Sequence, residues 1–369
     1  MSGLTSDSLP VSFRPGNNKG GLPDRVPTLN VASPARVRLE YDSRYLSQRA
    51  RSMTNPSAFH TIRTAMVATT VLVTAATALA EDVKPFPGTR PLTLDGPLDV
   101  VMVDGINRFA LRALADSASL RPARWKRDFS SLESYAKSIE ANRTRFRTII
   151  GAVDARTRSP RIQLIAPLDG SSRLGGTKTW SAHRAHWDVL DGVTARGLVL
   201  IPTGKPIANV IALPDADWTP EQFAGLVDGV APQAQLARRL VENGCRVIVP
   251  TLISRDARFS GDPRVRFTNQ PHREFVYRMA FELGRHVIGY EVQKIQAAVE
   301  ALAPDGKPSL PLGVVGVGEG GLLALHSAAV DTRINAAMVC GYFDQRHEVW
   351  REPIYRNVWS QLTEFGDAE

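Results

Sequence analysis

The residues best placed to do chemistry lie in the run VVGVGEGGLLAL, from Val314 to Leu325. Its core, Gly316-Val317-Gly318-Glu319-Gly320-Gly321, fits two templates. As G-x-G-x-x-G between a strand and a helix, the amides at the helix start would hold a pyrophosphate. Asp344, 23 residues past Gly321 at the end of the next apolar run, stands where a ribose-binding carboxylate would sit. That reading gives a nicotinamide-dependent oxidoreductase that uses Gly316, Gly318, Gly321 and Asp344. As G-x-Nuc-x-G, the same residues form the tight strand-to-helix turn that lifts a nucleophile above a sheet, with small residues where the backbone nearly touches its neighbours. Gly318 is then the nucleophile position without a side chain. Glu319 offers an oxyanion-binding amide or a substitute carboxylate, and Asp344 a possible acid. Glu319 is equally explained as a solvated residue that the helix dipole favours.

Chain order separates the templates, because a dinucleotide fingerprint normally sits on the first strand of its sheet. Here several strands come first. Residues 183–190 and 193–201 alternate around Asp191-Gly192, a two-residue hairpin signal in which both turn residues take positive φ. Short apolar runs then follow at 208–213, 245–253, 310–317 and 334–341, separated by helical patterns, so the sheet is mostly parallel with helices on both faces. Thr219-Pro220-Glu221-Gln222 opens one helix with a capping box, and Gly244 stops the next. Residues 273–303 read as a long helix that Gly284 and Gly289 can break. Two helical patterns precede the sheet, at 98–118 and after Ser130-Ser131-Leu132-Glu133, a second capping box. In the latter helix Leu132, Tyr135, Ile139, Phe146 and Ile149 share a face.

The formal charge of +8 suggests nucleic acid, but residues 1–80 carry nine basic against four acidic side chains. The other 289 residues hold 36 basic and 33 acidic, with no basic stripe, which excludes a nucleic-acid partner. Residues 53–80 combine Met53, Arg63, an apolar run and Ala78-Leu79-Ala80, the pattern of a secretory signal peptide. The run is too short for stable membrane insertion. The expected organisation is an untranslated or disordered leader at 1–52, the signal at 53–80, an N-terminal helical extension at 81–160 and the main domain at 161–369, exported to the periplasm or the medium. Export disfavours a soluble nicotinamide, so no cofactor is expected. Cys245 and Cys340 read as buried free thiols, although an exported chain could pair them. His183 and His186, three apart on a strand, point to opposite faces, and no metal site is expected.

The segments NGCRVIVP (243–250), GRHVIGYE (284–291), the glycine turn and EFGDAE (364–369) resemble secreted bacterial α/β-hydrolases of the acetyl xylan esterase and dienelactone-hydrolase-like group. The resemblance runs from about residue 145 onward. It implies an α/β-hydrolase sheet opened by an antiparallel hairpin and incomplete at the C-terminus, since an acid and a histidine are expected after further strands. It also implies acyl transfer on a small ester or acylated glycan, with serine where this chain has Gly318. The loop after the third strand would supply an oxyanion amide and substrate contacts through Asp215, Ala216 and Trp218. Asp215 and Asp217 are alternatively caps for the next helix, and His326 and His347 surface or packing residues. Trp180, Trp187, Trp218, Trp350 and Trp359 could stack on a sugar, although most read as core or interface residues, and 346–359 could cover the pocket mouth or equally pack as an amphipathic segment. The degenerate turn leaves three readings open: an ester hydrolase with an unorthodox nucleophile, an inert glycan- or ester-binding pseudo-hydrolase, and the nicotinamide enzyme. The oligomeric state is left open.

Overall fold

The computed structural model describes residues 86–90, 93–260, 270–344 and 346–366, so the expected leader at 1–52 and export signal at 53–80 lie outside the described residues. The chain divides into two units, 1–92 and 93–369. Of the first, only a turn is described, closed by the Thr89 amide on the Phe86 carbonyl at 3.0 Å.

The second unit begins with α1 (Leu98–Leu120), which buries only Ser117, and α2 (Leu132–Ile149). The cap of α2 is Ser131, whose hydroxyl accepts the Ser134 amide at 3.0 Å. The capping box expected from Ser130 and Glu133 therefore does not form. Leu132 is exposed, because the packed face of α2 begins a turn later.

Two short strands, β1 (Gln163–Leu164) and β2 (Arg173–Gly176), pair antiparallel with β3 (Trp180–Leu190), so the hairpin is not the first part of the sheet. β3 turns at Asp191-Gly192 into β4 (Val193–Pro202), and Gly192 alone of that pair has positive φ. Then come β5 (Ala208–Leu213), α3 (Pro220–Phe223) with its Thr219/Gln222 capping box, α4 (Leu236–Glu242) and β6 (Cys245–Pro250). The long helical stretch breaks at Gly284, φ +64, into α5 (His272–Glu282) and α6 (Val287–Leu302), with Gly289 inside α6. β7 (Leu312–Val317) enters α7 (Glu319–Val330), followed by β8 (Ala336–Cys340) and a final short α8 (Gln361–Glu364).

The strand order is β1-β3-β4-β6-β5-β7-β8 with β2 also on β3. β4 pairs antiparallel with β6, and the pairs β6/β5, β5/β7 and β7/β8 are parallel. Alternate side chains feed two cores. Val199, Ile211, Ile248 and Val314 enter the larger one with α6 and α7, while Leu200, Val210, Val247 and Val315 enter the other with α3 and α4. Trp187 is fully buried and donates its indole N–H to the Lys294 carbonyl at 3.0 Å, which pins α6 to β3.

This topology positions the site. β5 and β7 are parallel neighbours with Leu213 opposite Gly316, so the loops leaving their C-terminal ends emerge side by side, and the loop after β6 emerges on the other side of β5. In open α/β sheets ligands bind at this end of the strands.

α6 lies flush on the end of α2, where a Cβ on Gly289 would come within 2.3 Å of the Ile150 carbonyl oxygen. Gly289→Ala is therefore expected to cost roughly 1–3 kcal/mol, read from the shift of the urea denaturation midpoint.

Candidate functional site

The turn from β7 into α7 is crowded to the limit of backbone contact. A Cβ would come within 1.9 Å of the Gly320 oxygen if placed on Gly316, and within 2.3 Å of the Leu213 oxygen if placed on Gly320. At the crest, Gly318 takes φ +57, ψ −117, a strained conformation that its N–H, donating to the Cys340 carbonyl at 2.8 Å, helps to hold. This is the geometry that raises a nucleophile, here with glycine at its summit.

The space a side chain would occupy is already filled. A Cβ on Gly318 would sit 2.4 Å from Asp215 Oδ1, and that oxygen accepts the Glu319 amide at 2.8 Å. The expected oxyanion donor thus serves a carboxylate of the same chain. Burial opposes the Asp215 charge, but hydrogen bonds from Arg255 and from the Glu319 and Ala216 amides outweigh it and hold the carboxyl below its usual range.

Arg255 is the hub. One terminal nitrogen donates to Asp215 and Asp217, each at 2.8 Å, and the other reaches Asp215 Oδ1 at 3.3 Å and Glu319 Oε2 at 3.4 Å. Its Nε donates to the Tyr355 hydroxyl at 3.1 Å. Burial disfavours the guanidinium charge, yet Asp215 and Asp217 raise its pKa. The two aspartates therefore hold Arg255 and do not cap α3, whose cap is Thr219.

Glu319 is not solvated: it is fully buried and bound by Arg273 at 2.8 Å and by Arg356 at 3.0 and 3.1 Å. Arg273, also fully buried, donates to the Ile253 carbonyl at 2.9 Å and lies 3.5 Å from Glu291, which pairs in turn with Lys294. Arg356 is further tied to Glu352 at 2.6 Å. Asp215, Asp217 and Glu319 are thus all ion-paired, and none of the three is an unencumbered nucleophile.

The buried His286 is not a base for this site. His286 caps α6, accepting the Ile288 amide at Nδ1, while its Nε2 donates to the Asn357 carbonyl at 3.2 Å. Both nitrogens are committed in the neutral ring. Burial above all, with Arg273 adding to it, pushes its pKa down to about 4 despite the Asn357 carbonyl. A Ser–His pair does occur at Ser254 and His272, 3.0 Å apart at Nδ1. There the Phe259 amide donates to Nε2, so Nδ1 carries the proton and cannot take the serine's.

Of the other residues singled out in sequence, Ala216 is buried beneath the crest and Trp218 half-buried against Phe223, while Asp344 is exposed beyond β8. His326 packs inside, with Nδ1 on the Leu322 carbonyl at 2.8 Å. Trp180 and Trp187 are core residues, whereas Trp350 and Trp359 are exposed. His183 bonds Ser172 and Ser181, and His186 bonds Gln163. Among the described residues no group of three His, Cys, Asp or Glu side chains could hold a metal, and no helix is long and apolar enough to cross a membrane. Against the pyrophosphate reading, β7 follows six other strands along the chain instead of opening the sheet, and the Glu319 amide at the start of α7 is taken by Asp215. Sequence reasoning missed Arg255, Arg273, Arg356 and Glu291. One signal was available: a carboxylate inside an apolar strand-to-helix run must find cationic partners if buried.

Strand order and strand-to-helix crest together define an α/β-hydrolase fold. The Dienelactone hydrolase family matches residues 199–349, from the end of β4 past β8. The crystal structure of a candidate acetyl xylan esterase from Bacteroides fragilis NCTC 9343 superposes with a TM-score of 0.50 at 18% identity, over 69% of each chain. Acetyl Xylan Esterase 1 from Thermoanaerobacterium sp. JW/SL YS485 gives 0.36 at 16% identity, over 61% of this chain and 65% of that one. No curated protein matches the chain. The likeness establishes an α/β-hydrolase-type fold, and the dienelactone hydrolase match spans 151 of the 369 residues.

Two outcomes follow from the geometry. Gly318→Ser is expected to cost roughly 1–3 kcal/mol in the parent chain and at least about 1 kcal/mol less in an Asp215→Ala background. A denaturation cycle in which the two changes simply add would refute the contact. For His286, the folded pKa lies below the unfolded 6.5, so its contribution is complete above pH 6.5 and is lost as pH falls towards 4. The loss is about 3 kcal/mol at most. His286→Asn should flatten that window in a stability-against-pH series, and an unchanged slope would count against it.

Proposed function

We propose that this protein is an exported α/β-hydrolase-fold binder of small esters or acylated glycans that does not cleave them. One observation carries the reading: a carboxylate held by Arg255 occupies both the nucleophile's space and the amide that would stabilise an acyl-transfer oxyanion. An uncharged serine there would attack a carbonyl; an ion-paired aspartate offers no such group.

Support for binding comes from a cavity of about 180 Å³ beside the cluster, walled by Leu322, Tyr342, Trp350, Val358 and Arg356. It is large enough for an aromatic or sugar-sized ring. Its wall includes Trp350, Arg356 and Val358 of the 346–359 segment. The ligand class follows from the names of the structural neighbours, and export from the 53–80 pattern.

The test uses 4-nitrophenyl acetate and acetylated xylo-oligosaccharides. Ester turnover at the buffer rate, unchanged in Glu319→Gln, together with an oligosaccharide-dependent rise in Tm that shrinks in Trp350→Ala, is the expected result. Turnover abolished by Glu319→Gln would establish an enzyme instead, and no Tm shift would remove the binding assignment.

A further inference from the structure

A second cleft lies between α2 and α7, away from the strand-to-helix crest. Residues 135, 139, 142 and 146 fall on one face of α2, but this face does not close completely on α7. It leaves a cavity of about 320 Å³, within the range of small-molecule sites.

Its walls are aromatic. Tyr135 stacks on Phe129 with centroids 5.5 Å apart, leaving its other face free of that ring, and Phe365 meets Trp125 and Phe146 edge-on at 5.8 and 5.5 Å. Its charge is one-sided. Arg127 lies over Trp125 at 4.1 Å, and Arg143 reaches the Ala329 carbonyl at the C-terminal end of α7. No aspartate or glutamate lines the cleft; of the acids beside it, Glu140 lies 3.6 Å from the Arg143 Nε, Glu364 pairs with Arg145 and Arg124, and Asp128 accepts the Ser130 amide. Among the described residues no carboxylate pairs with Arg127.

We infer that this cleft binds an aryl carboxylate, its ring against Trp125, Tyr135 and Phe365 and its carboxylate on Arg127. The composition selects this class. Flat apolar walls suit a planar ring, and a guanidinium beside them suits a carboxylate, which it binds through paired N–H groups. A neutral sugar would need several donors and acceptors for its hydroxyls, and apart from Asn142, His326 and the Tyr135 hydroxyl the side chains of the lining are apolar or cationic. The inference does not depend on the function proposed for the crest.

The experiment is titration of the full chain with benzoate, 4-hydroxycinnamate, benzyl alcohol and xylobiose, followed by tryptophan fluorescence and calorimetry. The two acids are expected to bind with Kd on the order of 1 mM, with benzyl alcohol at least about fivefold weaker. Arg127→Gln, at an exposed position, should weaken benzoate at least about fivefold with Tm unchanged. Tyr135→Ala should weaken both acids, and Asp215→Ala neither. Equal binding of benzoate and benzyl alcohol, or benzoate affinity indifferent to Arg127→Gln, would overturn the assignment. So would xylobiose binding more tightly than benzoate.

Discussion

The carboxylate of Asp215 against the amide of Glu319 is the contact on which the site is organised. It closes the gap between the loop after β5 and the start of α7, two segments that the parallel pairing of β5 and β7 brings side by side. A carboxylate at a helix N-terminus is favoured by both the free amide and the helix dipole. The same two features would stabilise an oxyanion in an acyl-transfer enzyme. This chain satisfies them from within.

Around that contact, burial dictates the rest. Glu319, Arg273 and Glu291 have no exposed side-chain surface, and isolated charges in such places would be severely destabilising. Glu319 is therefore neutralised by Arg255 from the loop after β6, Arg273 from α5 and Arg356 from beyond β8, and Glu291 by Arg273 and, within α6 itself, by Lys294. Such clusters add little net stability over apolar packing, but losing one member is costly, so they specify one arrangement of the loops. The outcome is a braced crest in which Tyr355 and Glu352 also take part.

Much of the scaffold was legible because its signals are local. The Thr219 capping box, the break at Gly284, the hairpin at 191–192 and the glycine turn each follow from a few neighbouring residues. The strand-to-helix crest is legible for the same reason, since only glycine tolerates the approaches at 316 and 320. The charge network was not. Arg255, Arg273 and Arg356 lie 64, 46 and 37 residues from Glu319, and an arginine in sequence carries no mark of burial. β1 and β2 were missed because strands of two and four residues leave no periodicity. The Ser130/Glu133 box was misread by one position, as element ends often are.

A serine at 318 and the carboxylate of Asp215 are alternatives for one volume, and electrostatics makes them alternatives for one chemistry as well. An oxyanion forming within about 3 Å of a carboxylate would be opposed by roughly 5 kcal/mol at an effective dielectric near 20, before Arg255 compensates. Losing a single oxyanion donor costs roughly 3–4 kcal/mol by comparison. Catalysis of the usual kind therefore requires Asp215 to leave, and its leaving strips Arg255 of one of its two aspartates. Glycine at the crest, aspartate in the hole and arginine behind it form one unit: the absent side chain makes room for the carboxylate, the amide and the guanidinium hold it there, and the glycine backbone bears the strain of the turn.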